Sequence, residues 1–151
     1  MVLQIYRLAH WLKNHKIPLL PFLLKSLNRI MFSVVLPPTA ILGKNVLLSY
    51  EGLGTVIHRR AVIGDNVVIG SGVTIGGRGK STEVPIIGEG SMIGSGAKVL
   101  GPIKIGKYVS VGANAVVLTD LPDYAVAVGI PAKIVKINKP EDIPDYYNFK
   151  I

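Results

Sequence analysis

The chain has 151 residues, a net charge of +8 and no cysteine. That length suits one domain, disulfides and thiol catalysis are excluded, and no apolar run approaches the ~20 residues that cross a membrane. The positive charge is uneven: Arg7, Lys13, Lys16, Lys25, Arg29 and Lys44 all precede the first acidic residue, Glu51. With no recognised nucleic-acid motif, this points to a phosphate-bearing ligand, an anionic lipid surface or a merely solvated basic face.

Residues 1–35 read as two short helices. Ile5, Leu8, Ala9 and Leu12 fall at i, i+3, i+4 and i+7, an apolar stripe that Trp11 widens. Pro18 and Pro21 interrupt the pattern, and a second segment from Phe22 to Phe32 carries Leu23, Leu24, Leu27, Ile30 and Met31. Arg7, His10, Lys13 and the two prolines break up any signal-peptide core, which makes the cytoplasm the default compartment. The two helices are expected to cap the next segment, and a peripheral contact with the inner membrane is compatible with that role.

From Leu36 to about Pro122 an aliphatic residue returns at every sixth position: Ile57, Ile63, Ile69, Ile75, then Ile87, Ile93, Val99, Ile105, Val111 and Val117. Glycine usually follows, and the fifth place is small or β-branched, as in Ala61, Val67, Ala97 and Ala115. Neither a helix nor an ordinary strand has a period of six. Three flat faces per coil do, so the expected fold class is all-β: a parallel β-helix of about five coils over residues 36–122. Residues 1–35 would cap it, and residues 123–151 would hold a closing motif and an extended tail that is rich in proline and tyrosine.

Two irregularities interrupt the count. Units begin at Leu36, Leu42 and Leu48, but the next, at Ile57, is three residues late, so Ser49–Gly54 must bulge outward. His58 follows at once, the lone histidine of the coil, in a corner place where glycine is usual. Farther on, Gly77–Pro85 (GRGKSTEVP) keeps the count but puts Ser81 where an aliphatic belongs. Its glycines and Arg78 offer backbone amides and positive charge to a phosphate or an acyl group.

The segments Ile69–Lys80 (IGSGVTIGGRGK), Ile93–Gly101 (IGSGAKVLG) and Val128–Lys136 (VGIPAKIVK) resemble hexapeptide-repeat acyltransferases, in particular serine O-acetyltransferases and the O-acetyltransferases of surface polysaccharides. The resemblance implies left-handed coils, acetyl-CoA as acyl donor, a homotrimer with sites between subunits, and no metal. It places the coenzyme along Gly76, Gly77, Arg78, Ala97 and Ala115, with Lys133 and Lys136 near its nucleotide. A γ-type carbonic anhydrase would share the coil but needs three zinc histidines.

Acyl transfer to a hydroxyl needs a base, and His58 beside Arg59 and Arg60 is the candidate. Glu51 would orient the imidazole or hold an acceptor hydroxyl, and Tyr50 would donate to the oxyanion. Serine acetyltransferases carry an Asp-His pair where this chain has Tyr50-Glu51, and a longer loop with a second histidine before its proline. Because the equipment for a free amino acid is not evident, a sugar hydroxyl of a surface-polysaccharide precursor is the expected acceptor. Serine is the alternative, and a non-catalytic scaffold is the alternative of another class.

Overall fold

The computed structural model describes residues 1–143; the part of the expected tail that contains Pro144, Tyr146, Tyr147 and Phe149 lies outside the described residues. Short strands stack into three parallel faces. The first face holds Ile41–Leu42, Val62–Ile63, Ile86–Ile87 and Lys104–Ile105. The second runs from Leu47–Leu48 through Val68–Ile69, Met92–Ile93 and Ser110–Val111. The third holds Val56–Ile57, Thr74–Gly76, Lys98–Leu100 and Val116–Val117. The coil therefore makes about four turns rather than five. After Leu121 the chain leaves the hexapeptide path, and Ala125–Val128 pairs antiparallel with Lys133–Ile137 to close the second face.

The six-residue period is the core. Ile57, Ile63, Ile69, Ile75, Ile87, Ile93, Val99, Ile105, Val111 and Val117 are each at most 2% exposed. The fifth-place residues Ala61, Val67, Val73, Ala97, Val109 and Ala115 are wholly buried beside them. Burial of each large aliphatic contributes roughly 1.5–3 kcal/mol. Two polar fifth-place residues are paired internally: Thr55 Oγ1 donates to the Gly70 carbonyl, and Ser91 Oγ to that of Gly106.

The loop does not keep the count. Val62 pairs with Ile86, 24 residues on, whereas Ile86 pairs with Lys104 at the regular interval of 18. A whole hexapeptide, Ser81 included, has left the wall. An exposed serine loses nothing outside, whereas in the column its hydroxyl would need a partner.

Helix α1 (Val2–Asn14) closes the open end of the coil. Its buried face is Val2, Tyr6, Ala9 and Leu12, so the expected stripe is rotated and Leu8 is 50% exposed. Tyr6 decides the rotation, because its hydroxyl donates to the Ala40 carbonyl at 2.7 Å while its ring fills the cap. Arg7 adds bonds to the carbonyls of Leu42 and Gly43, which cover strand-end acceptors. Helix α2 (Leu20–Phe32) packs on α1 and buries only Pro21 and Asn28.

Candidate active site

The coil places His58 and the glycine loop on one edge. Ile57 pairs with Ile75, and the His58 amide donates to the Ile75 carbonyl at 2.8 Å, so His58 lies opposite Gly76 one strand spacing away. Most corner glycines are required by the coil itself. A Cβ on Gly64, Gly70, Gly88 or Gly94 would come within 2.5–2.7 Å of the next coil's backbone. Gly76 and Gly77 are different: an added Cβ would meet nothing closer than 3.9 Å. Neither has a positive φ. Among the described residues nothing requires glycine at these two places, and the backbone there is open to whatever approaches this edge.

His58 is half-buried. The Arg60 backbone N–H donates to His58 Nδ1 at 3.2 Å. A nitrogen that accepts this bond carries no proton, so the neutral ring holds its hydrogen on Nε2. Desolvation, followed by the guanidinium groups of Arg60 and Arg59, holds the pKa of His58 below the usual imidazole value. A neutral His58 with Nε2–H is therefore a hydrogen-bond donor at neutral pH.

Tyr50 and Glu51 are not at this edge. They form a turn, Ser49–Gly52, at the other end of the third-face strand, and both have positive φ. Glu51 is occupied elsewhere: its carboxylate accepts from the Met1 ammonium at 2.8 and 2.9 Å and from the Val2 amide at 2.9 Å. It is the anionic cap at the positive end of α1, and it does not orient His58. Tyr50 is 80% exposed.

The other expected coenzyme residues spread along the coil. Arg78 Nη1 reaches the Leu118 carbonyl at 3.5 Å, which draws the loop across the stacked corners. Ala97 and Ala115 stack as expected, but their carbonyls already accept from Thr74 and Lys98, and their methyls face the core. Lys133 and Lys136 are exposed on the closing strand.

A groove of about 480 Å³, which sequence reasoning missed, opens beside the loop on the first face. Its polar lining is Arg60, Lys104, Glu83 and Thr82, over an apolar floor that includes Val62, Ile86 and Ile103. Two cations and one carboxylate in a single groove match a zwitterion. The signal was hidden because Glu83 and Lys104 line one groove only when the 24-residue coil is recognised.

A β-helix built of hexapeptides is the fold of the hexapeptide-repeat transferases. The description "Bacterial transferase hexapeptide (six repeats)" matches residues 85–119. The serine acetyltransferase of Bacillus pumilus strain SAFR-032 is 38% identical over 93% of this chain and 69% of its own length. That of Synechococcus elongatus is 41% identical over 86% of this chain and 54% of its own. A crystal structure of serine acetyltransferase in complex with coenzyme A from Brucella abortus strain S19 superposes with a TM-score of 0.87. It is 37% identical and matches 91% of this chain and 55% of that one.

The chain belongs to the serine acetyltransferase family, with its left-handed coil, and spans about half to two thirds of the length of these relatives. The comparisons correct the expected acceptor. The relatives are serine acetyltransferases, and the matches give no support to the acetylation of a surface polysaccharide. The expectation of a sugar rested on the shortened loop with its missing histidine and on the lack of evident equipment for a free amino acid.

Proposed function

We propose that the protein transfers the acetyl group of acetyl-CoA to the hydroxyl of L-serine. The observation that carries this reading is the groove beside the glycine loop, in a chain whose relatives are serine acetyltransferases. Arg60 and Lys104 meet the serine carboxylate and Glu83 its ammonium, which supplies the amino-acid recognition that the sequence had seemed to lack. The coenzyme lies along the edge at Gly76 and Gly77, where absent Cβ atoms let its arm approach the backbone. From the coil of His58 to the last coil is three strand spacings, about 15 Å, over which an elongated ligand extends toward Lys133 and Lys136.

The serine oxygen attacks the thioester carbon and gives its proton to water, the C–S bond breaks, and the departing coenzyme thiolate takes a proton from water in turn. His58 Nε2–H donates to the carbonyl oxygen as it gains charge. We assign His58 this role in place of the expected base on the ground that Nδ1 accepts from the Arg60 amide, which favours the Nε2–H form of the neutral ring.

A homotrimer is part of the proposal. The first face turns a ladder of Ile41, Val62 and Ile86 outward, in register, with Ile41 55% and Ile86 44% exposed. A second subunit on this ladder encloses the groove.

Release of coenzyme A thiol with serine as acceptor tests the proposal. Glu83→Gln and Arg60→Gln should each lower kcat/KM for serine about ten- to a hundredfold, through KM, while coenzyme affinity holds. Equal rates with ethanolamine, which lacks the carboxylate, would contradict this use of the groove.

A further inference from the structure

We propose that the groove between the helical cap and the first coil binds a soluble organic phosphate, a phosphate monoester carried on an apolar body. Three segments far apart in the chain each bring a cation to this groove of about 390 Å³. Lys13 comes from the last turn of α1, Lys25 from α2, and Arg59 from the corner after Ile57. The lining contains no acidic residue. None of the three side chains forms an ion pair or a hydrogen bond among the described residues. Like charges that converge without a counterion repel one another, and a bound anion removes that cost. Thr39 Oγ1 donates to the Arg59 carbonyl at 2.7 Å, which ties the Arg59 backbone to the groove wall and leaves its guanidinium to the ligand.

Between the cations the lining is apolar, with Ile17, Leu19 and Phe22 on the helical side and Pro37 and Pro38 on the coil side. Lys25 Nζ stands 5.4 Å from the centre of the Phe22 ring, so ring and ammonium meet a ligand together. Leu19 is held in the left-handed region at φ 64° and is 78% exposed, an apolar side chain kept at the groove. Three positive charges suit a phosphate monoester, which carries about two negative charges at pH 7, better than a carboxylate, which carries one. The volume lies within the roughly 300–1,000 Å³ of small-molecule sites. Pro21, Phe22 and Lys25 share one side of α2, and the exposed row of Leu23, Leu27 and Ile30 lies on the other. A bilayer seated on that row would not reach the groove, so the ligand comes from solution.

Calorimetry of the full chain with hexyl phosphate, inorganic phosphate and hexanol, with coenzyme A in excess to fill the Gly76 edge, tests this. Hexyl phosphate should bind at least about tenfold more tightly than inorganic phosphate, hexanol should not bind, and salt should weaken both phosphates. Lys25→Gln and Arg59→Gln should each weaken hexyl phosphate about tenfold. Phe22→Ser, at a position 63% exposed, should erase the preference over inorganic phosphate with an unchanged circular dichroism spectrum. Lys104→Gln, in the groove assigned to serine, should change none of these affinities. Each readout is binding, so the result stands apart from whether serine is acetylated. Absence of hexyl phosphate binding would overturn the proposal, as would binding that survives Lys25→Gln and Arg59→Gln but is lost with Lys104→Gln. Flotation with phosphatidic acid vesicles, without hexyl phosphate binding, would give the groove to a lipid surface and overturn it equally.

Discussion

His58 and Glu51 look like partners in the sequence, and the fold assigns them to different tasks. For His58 the Arg60 amide fixes the tautomer, so the activity of variants should follow hydrogen-bond donation rather than basicity. His58→Ala should lower kcat about 10²–10³-fold, the usual cost of an oxyanion donor, and His58→Asn, which keeps an N–H, should recover part of it. The measurement is kcat against pH for all three proteins. A neutral-range ionisation present in the wild type and absent in both variants, with Asn as inactive as Ala, would restore the role of base.

Glu51 makes a prediction about stability. Its pKa is held below the usual carboxylate value by bonds from the Met1 ammonium and then the Val2 amide. A carboxyl group depressed in the folded state stabilises above its unfolded pKa, and that contribution is lost as pH falls through the folded value. Glu51→Gln should therefore cost about 0.5–1 kcal/mol near pH 7, the range for an exposed pair at a helix terminus, and almost nothing well below pH 4. Denaturant melts at the two pH values check this; an equal cost at both would mean that the carboxylate's charge plays no part.

At the scale of elements, two classes of glycine should part company. Gly70→Ala puts a Cβ 2.5 Å from the Ser95 amide, so it should destabilise the coil by about 1–3 kcal/mol, as overpacking does. Gly76→Val has room within the chain and should leave thermal stability nearly unchanged while weakening coenzyme A binding, read by calorimetry. A Gly76 variant that melts early with normal coenzyme affinity would make this glycine structural.

Legibility followed the same division. The inward columns could be read from Ile57 to Val117 because each such position has one physical requirement, an aliphatic in a closed interior. The corner place of His58 was legible for a related reason, because histidine stands where glycine is usual; Gly76 follows the regular pattern, and only its open surroundings in the structure set it apart. What stayed hidden depended on register or on contacts between distant segments. Ser81 looked like a substitution within the wall until Val62 was seen to pair with Ile86. The α1 stripe was misplaced because counting aliphatics ignores a tyrosine whose hydroxyl finds the Ala40 carbonyl. Glu51 at the helix terminus joins residues fifty positions apart, and no local pattern announces it.

For the whole molecule, the outward ladder of Ile41, Val62 and Ile86 should hold three chains together, because an aligned apolar row on a flat sheet is poorly tolerated in water. Light scattering on a sizing column should report a trimer, and Ile86→Lys should shift it toward monomer while the circular dichroism of the coil is kept. A wild-type monomer at micromolar concentration would leave the groove open on one side.

The most direct test of the acetyl-transfer reading is the product itself. Incubation with acetyl-CoA and L-serine, followed by mass spectrometry, should show serine gaining one acetyl group in step with release of free coenzyme A, and His58→Ala should suppress both. Coenzyme A that binds at the Gly76 edge without acetylserine ever forming would contradict it.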